Sequence, residues 1–600
     1  MPMLNYFWSK SSNGSSKQPV PGRQLACCLL ILFLLLSLPA CASISPPQDP
    51  APASRIPSSN ATLERWVSNT KNHLHPQTNL VYSRYLGLLY RQASFGFFWL
   101  DDQGQPNAAA RQLLSDLQPW LALEEHPRLK PYQELARLLQ MPLSQAPSRR
   151  RQSRDLVISD YFLRYQDDLL KRYWTRYDEV QDHGVINAYE SWDDWPDEVV
   201  KSSLEQVFPA WLSQLQKQNP QHWAQDRLLE TRPDNQLYLP WRQAFSELQE
   251  AAEAGHWPQL EKDLQSGDQG QAVTQLAIQL ARLGDLNSAQ PWLPEEGVDI
   301  HEPRYDQRLE AAVQRFQQRH QITATGQVTT QTRQQLNVPP QERMRRLAHN
   351  LRRLHHLPRQ RNERHLMINL ADQRLQFIEQ REVKLDMRVI TGRDGQRTPI
   401  MNQWLTSLVL NPVWNVPPSI AQQKIFPRAR NNPEYLASRD YALVDGWHTP
   451  TRYVSLDELP EDAFTEDNPS YRIVQKAGRY NQLGRAKFRL SNQQAIYLHD
   501  TPYREKFNQE ERNISSGCVR VEDSEKLVEA LLAKSQTWTP DRITAIYEEG
   551  EERYLQVRPR VAVYLMYWTA WTDAHGRLQW REDSYKMDQF SQTKHLAKGD

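Results

Sequence analysis

The sequence predicts a multidomain α+β protein, and three features predict it: the length, a helical texture in the N-terminal half, and strand-like runs beyond Leu366. At about 150 residues per domain, 600 residues leave room for roughly four domains. From about Ala61 to Leu293 the chain is polar and rich in Gln, Leu, Arg and Trp, with apolar positions at helical spacing in segments such as Leu113 to Leu123 and Ala272 to Leu283. Residues 61–293 therefore read as a helical scaffold, with tryptophans that belong to its core more often than to sugar stacking. Beyond Leu366, LMINL, RLQFIE, KLDMRVIT, SLVLNPVW and AIYLHD mix β-branched and aromatic residues between turn signals such as Asp394-Gly395, so a β-rich domain is expected. VAVYLMYWTAW, a turn at 573–576 and RLQW read as a terminal hairpin over 558–600 that ends in a loose tail.

Lys+Arg 72 against Asp+Glu 71 gives a net charge of +1, so no global field draws a polyanion and nucleic acid is not an expected partner. Cys27, Cys28 and Cys41 crowd the N-terminus and leave only Cys518 in the body, which excludes a disulfide framework and a thiolate zinc cluster. His355 and His356 are adjacent and point apart on a helix. With no Walker loop, His-Glu-x-x-His or Cys-x-x-Cys motif, neither a metal nor a cofactor is expected.

The first 48 residues lack Asp and Glu, carry Lys10, Lys17 and Arg23, and run apolar from Leu25 to Leu38. Such a run spans about 21 Å as a helix, short of the ~30 Å hydrocarbon core, so a secretory signal over 1–42 is the expected reading. Ala40-Cys41-Ala42 suits cleavage after Ala42, whereas Leu38 to Cys41 reads as a lipidation site that would make Cys41 an anchor. Membrane attachment is expected only through that signal or lipid. Pro/Ser-rich residues 43–60 read as a tether.

Between His301 and Val338, Leu309, Val313 and Phe316 share a helical face, Gly326 offers a turn, and Thr329 or Thr330 can cap a short helix ending at Leu336. This pattern resembles the small three-helix peptidoglycan-binding module, placed at 299–338, with Thr325-Gly326 where Asp-Gly is usual. Residues 339–365 read as a linking helix opened by Pro339-Pro340 and basic on its outer positions.

Chemistry concentrates in AIYLHDTPYREKFNQEERNISSGCVRVED. His499 closes an alternating strand, and Cys518 follows in Ser515-Ser516-Gly517-Cys518-Val519-Arg520. A thiol nucleophile needs a base, and a strand-end His supplies one. Gly517 frees space beside the thiol, and backbone N–H groups there can hold an oxyanion. The Asp500 carbonyl or carboxylate can fix the imidazole tautomer, and Ser516 and Arg520 can polarise the site or hold a substrate carboxylate. The opposing reading is a core cysteine beside a satisfied histidine.

The segment resembles the signature of the YkuD-type L,D-transpeptidase domain, as do Thr391-Gly392, Thr398-Pro399, the run from Asn411 to Ala421, and Asn481-x-x-Gly484 before Lys487-Phe488. YWTAW at 567–571 and the long stretch 425–485 resemble the YcbB-like branch, with Ser516 where many relatives carry His. The resemblance implies a catalytic domain over 366–557 with an inserted capping subdomain at about 425–485. It implies that Cys518 acts as nucleophile and His499 as base and acid, with oxyanion donors at Gly517 and Cys518. Asp500 would orient the site, Arg520 would take a carboxylate, and Tyr497 and Trp414 are candidate walls of the donor groove. It further implies 3-3 crosslinking of peptidoglycan tetrapeptide stems, which serve as donor and acceptor, in a Gram-negative periplasm, with other wall synthases as candidate partners. Hydrolysis by the same residues, as an L,D-carboxypeptidase, and a non-catalytic wall-binding scaffold are the alternatives.

Overall fold

The computed structural model describes residues 80–588, apart from 124–128, 142–147, 183–202, 234, 294–302, 359–360, 433, 447–451, 461–462, 464–469 and 493. The expected signal, Cys41, the tether and the C-terminal tail lie outside the described residues.

Helices α1 (Ser83–Gln92), α2 (Ala108–Leu121), α3 (Lys130–Gln140), α4 (Ser148–Asp182), α5 (Ser203–Leu215), α6 (Pro220–Thr231) and α7 (Asn235–Glu253) build the scaffold. Asn107 and Asn219 cap α2 and α6 by accepting from otherwise orphaned N–H groups of the first turn. Trp99, Trp223 and Trp241 are fully buried, and Trp223 packs edge-on against Phe98 and Trp211. These tryptophans serve the core and leave no face open for a sugar.

Helices α8 (Gln271–Arg282), α9 (Gln307–Arg319) and α10 (Thr330–Leu336) follow. Thr329 caps α10 through its hydroxyl, and Gly326 turns the chain at φ +74°, where a Cβ would stand 2.6 Å from Glu310. The sequence reading gave α8 to the scaffold, but Val273, Leu276 and Leu280 share one core with Leu309, Val313, Phe316 and Leu336. Two short helices cannot enclose that apolar stripe alone, and α8 is the third wall.

Helix α11 (Pro340–Leu354) differs from its expected basic exterior, because Arg343, His349 and Arg353 are buried. Its outer side is covered by α7 and by the C-terminal segment. Arg353 donates to Asp588 at 2.7 Å and to the Met587 carbonyl, and Arg343 donates to the Val338 carbonyl and meets His320 at 3.1 Å.

The β-rich part begins with β1 (Arg364–Asn369), β2 (Arg374–Glu379), β3 (Glu382–Gly392) and β4 (Met401–Leu410). It continues with β9 (Ala486–Leu490), β10 (Tyr497–His499), β11 (Asn513–Ser515), β12 (Val519–Val521) and β13 (Arg553–Met566). The order β3-β12-β10-β9-β4-β13-β1-β2 returns to β3, so the sheet closes on itself and removes its edges, while β11 adds to the C-terminal end of β3. Period-2 alternation assigns the faces. Leu366 and Ile368 of β1 point into the barrel core with Phe488, Leu498 and Val519, while Met367 packs outward on the helical layer. Helices α12 (Ser524–Leu532) and α13 (Pro540–Glu549) bring Leu527, Leu531 and Ile543 to the barrel core.

Two expected boundaries shift. VAVYLM was expected in a terminal hairpin outside the 366–557 domain, but β13 lies between β1 and β4, and only β14 (Ala570–Thr572) and β15 (Leu578–Trp580) form the hairpin. A strand with both neighbours paired and a fully apolar run belongs inside a sheet. The inserted cap is a second sheet, β5 (Trp414–Asn415), β8 (Tyr471–Gln475), β6 (Tyr441–Asp445) and β7 (Arg452–Val454), with a helical run over 418–431. Its core reaches from Trp414 to Leu483, wider than the expected 425–485 on its N-terminal side.

Candidate active site

Cys518 occupies the turn between β11 and β12, directly before a strand that runs parallel to β10 with Leu498 opposite Val519 and His499 opposite Arg520. That register places the thiol next to Tyr497 and sets His499 two positions further along the neighbouring strand, on the same face as Tyr497. Gly517 holds φ +112°, a conformation that disfavours a side chain, although a Cβ there would make only ordinary contacts, with Ile496 at 3.5 Å and the Arg397 and Gln396 carbonyls at 3.8 and 3.9 Å.

The loop is tied down on three sides. Ser515 Oγ donates to the Cys518 carbonyl at 2.6 Å and accepts the Gly517 N–H at 3.1 Å. Thr398 Oγ1 donates to the Gly517 carbonyl at 2.8 Å and accepts the Gly392 N–H at 2.9 Å. The Tyr585 hydroxyl donates to the Gly392 carbonyl at 2.6 Å, and its own backbone N–H donates to the Tyr567 hydroxyl at 2.8 Å. The expected oxyanion donor at Gly517 is thus already committed, and the serine that braces the loop is Ser515, whereas Ser516 is exposed. Sequence reasoning did not single out Ser515 or Tyr585. Tyr585 lies 67 residues beyond Cys518 in sequence, and no local motif marks it.

His499 is buried, and its Nδ1 lies 2.5 Å from the Asp500 carbonyl. A carbonyl only accepts, so Nδ1 carries the proton and Nε2 holds the lone pair. Burial, then Arg520, and finally Lys487 push the imidazole down to about 3, against the pull of the Asp500 carbonyl. The neutral ring is the resting form. The Asp500 carboxylate takes no part in orienting it: it accepts the Arg485 N–H at 2.9 Å and faces Arg504 at 3.4 Å. It fills the space over Gly484, where a Cβ would come within 2.3 Å of it.

The Cys518 thiol is half-buried and its sulfur lies 3.7 Å from the Ala495 carbonyl, so the resting thiol is not hydrogen-bonded to His499. Burial pushes the thiol up; the Tyr497 N–H, Lys487, the Tyr497 hydroxyl and Arg520 each oppose that rise. Arg520 keeps a buried Nε with no hydrogen-bond partner among the described residues, leaving donors free for an anion. Tyr497 packs against His499, ring centroids 5.6 Å apart. Trp414 lies in the cap core beside Tyr497, so the two expected groove walls do come together where cap meets barrel. Cysteine, neutral imidazole and cations that have no acid partner among the described residues share one face of the sheet, an arrangement that suits nucleophilic acyl transfer.

Residues 363–544 match the family model of the YkuD L,D-transpeptidase catalytic domain, and residues 269–336 match a "Putative peptidoglycan binding domain". The second range takes in α8, in keeping with the shared core. A curated relative from Haemophilus influenzae, "Putative L,D-transpeptidase", is 34% identical over 244 residues, which are 40% of this chain and 48% of the relative. The match thus spans about half the length of that relative. Two solved L,D-transpeptidase structures were also found. The one from Xylanimonas cellulosilytica is 14% identical, covering 52% of this chain and 99% of its own, at a TM-score of 0.15. The one from Stackebrandtia nassauensis is 13% identical, covering 52% and 96%, at 0.17. Superposition at that level is poor, and the assignment of the domains stands on the two family models and the curated relative.

Proposed function

We propose that the chain, which carries an L,D-transpeptidase catalytic domain at 363–544 and a peptidoglycan-binding domain at 269–336, forms 3-3 crosslinks between peptidoglycan stems through a Cys518 acyl-enzyme. The observation that carries this reading is the fixed tautomer of His499, whose lone pair stands on the strand beside the thiol-bearing turn. The thiol proton passes to His499 Nε2 as sulfur bonds to the carbonyl carbon of the third stem residue, and the carbonyl electrons move onto oxygen. Collapse of that oxyanion breaks the C–N bond, and His499 returns the proton to the departing D-Ala amine. The resulting thioester is attacked by a side-chain amine of a second stem, diaminopimelate in this reading. His499 takes one amine proton, and the thiol is regenerated as the crosslink closes.

Arg520, with its unfilled donors, is the group to hold a donor carboxylate, and the Cys518 N–H is the oxyanion donor. The cap and the YWTAW segment support placement in the YcbB-like branch. Secretion to the periplasm through the 1–42 signal, with or without a lipid on Cys41, belongs to the same proposal.

The test uses the full chain with tetrapeptide-bearing muropeptides and mass spectrometry of the products. Crosslinked dimers that vanish in Cys518→Ala and His499→Gln, with a carbapenem adduct on Cys518, are the expected result. Tripeptides without dimers would replace transfer by hydrolysis. Unchanged products in Cys518→Ala, and no adduct, would leave a wall-binding scaffold.

A further inference from the structure

The register of three adjacent strands aligns Lys487 of β9, His499 of β10 and Arg520 of β12 in a row across the sheet. The next row, Phe488, Leu498 and Val519, points into the barrel core, so the cationic row faces the side of the thiol. Lys487 is half-buried, and its ammonium stands 4.0 Å from the centroid of the Tyr497 ring, the residue beside Cys518. Among the described residues it makes no hydrogen bond and no ion pair. The charges around it are Arg489 on its own strand, Glu552 at the start of β13, and Cys518 itself. Glu552 is engaged by the Val413 N–H at 2.8 Å.

An ammonium taken partly out of water with no acid partner costs free energy unless an anion forms beside it. The aromatic face repays part of that cost and fixes where the charge sits. Of the protein's own groups around it, the one that becomes an anion in the proposed reaction is the Cys518 sulfur.

Resting on the reading of Cys518 as nucleophile, we propose that Lys487, held on the face of Tyr497, is the electrostatic positioning residue of this site, stabilising the Cys518 thiolate. No bond to lysine forms or breaks: sulfur gives its proton to His499 Nε2, and the ammonium offsets the charge left on sulfur. The same placement keeps His499 neutral, since Lys487 and Arg520 flank the buried imidazole, and it sets both cations on the side where sulfur loses its proton. Burial depresses Lys487 while the neighbouring Cys518 opposes that effect, in keeping with the pairing.

The test follows iodoacetamide alkylation of Cys518 against pH by intact mass in the full chain, for wild type, Lys487→Met, Lys487→Gln and Lys487→Arg. Removal of one nearby opposite charge should move the alkylation profile up by about one pH unit, roughly a tenfold slower reaction at pH 7. Arginine should keep the rate within about threefold of wild type. Equal profiles in wild type and the folded Met or Gln variant would overturn the inference, as would an arginine variant no better than methionine. Should both neutral variants fail to fold, the arginine variant decides: alkylation within about threefold of wild type is expected, and a profile moved up by a full pH unit although the charge is kept overturns the inference. Failure of the parent reading is separate, since it appears as activity surviving in Cys518→Ala.

Discussion

Thr398→Val removes one hydroxyl and little else, and the structure fixes what that hydroxyl does. It accepts the Gly392 N–H at 2.9 Å and donates to the Gly517 carbonyl at 2.8 Å, within a fully enclosed junction between the end of β3 and the turn carrying Cys518. Valine fills the same volume but leaves one buried donor and one buried acceptor unpaired, each worth about 1–3 kcal/mol. Partial relaxation keeps the sum near 2–4 kcal/mol, or a fall in Tm of roughly 5–15 °C if the barrel unfolds as a unit. The catalytic effect is separate. Freed from Thr398, the Gly517 peptide can rotate, and a misplacement of the nucleophile by about 1 Å costs on the order of 100-fold in rate. Thermal unfolding and the rate of carbapenem acylation of Cys518, followed by intact mass, measure the two effects, and Thr398→Ser should restore both. A valine variant that matches wild type in Tm and acylation would refute the idea that this hydroxyl holds the turn.

Tyr585→Phe should act in the same direction with less force, since it removes the 2.6 Å bond to the Gly392 carbonyl while the ring stays stacked on Tyr567; about 1–3 kcal/mol of stability and a several-fold slower acylation are expected by the same two assays. Gly392→Ala should be more severe, because its Cβ would stand 2.2 Å from the Gln396 carbonyl and 2.6 Å from the Thr398 nitrogen, both backbone, and acylation of Cys518 should be lost. Acid should destabilise the protein. His320, His349 and His499 are all held below the ordinary imidazole range by burial, His499 to about 3, so the unfolded chain binds more protons once pH falls below about 6.5 and stability is lost from there toward pH 3. Asp116, Asp155 and Asp500, all raised by burial and Asp155 to about 6, work in the opposite sense, while Glu379 and Glu522, held low by Lys534 and Arg388, act with the imidazoles. Denaturant midpoints measured from pH 7.5 to 5 check this; a flat or rising profile on acidification would contradict it.

The sequence carried the local features well. Strand-end His499, the glycine turn at 517, the Thr329 cap and the switch from period 3.6 to period 2 near Leu366 are all encoded within a few neighbouring residues. Long-range partnerships were not legible. Asp500 offers His499 both a carbonyl and a carboxylate as orienting groups, and only the fold chooses between them: the carboxylate turns to the Gly484-Arg485 backbone, and the main-chain carbonyl does the orienting. Ser515 and Ser516 are indistinguishable in sequence, and only the direction of the turn decides which hydroxyl braces the loop. Arg353 of α11, expected on a basic outer face, is buried on acceptors, Asp588 and the Met587 carbonyl, that lie more than two hundred residues away in sequence. Lys487 drew notice only as a motif letter, since its relation to Cys518 exists through the cross-strand register alone.

That long-range construction decides how much chain the site needs. The family match ends at Thr544, before β13 begins at Arg553. In the barrel β13 pairs in parallel with β1, Ile368 against Leu565, and antiparallel with β4, Leu405 against Val561. A chain cut after Thr544 would leave β1 and β4 as open edges and strip the core of Leu555, Val561, Val563 and Leu565. It would also lose Tyr585, and with it the brace on Gly392 that reaches Gly517 through Thr398. Burial of four large aliphatic side chains is worth about 6–12 kcal/mol, comparable to the whole stability of an ordinary domain. The truncated chain should therefore show no cooperative thermal transition and no acylation of Cys518, whereas a chain ending at Asp588 should keep both. Circular dichroism melts and intact-mass acylation compare the two, and a chain ending at Thr544 whose Cys518 is still acylated and whose barrel still melts cooperatively would show that the site forms without β13.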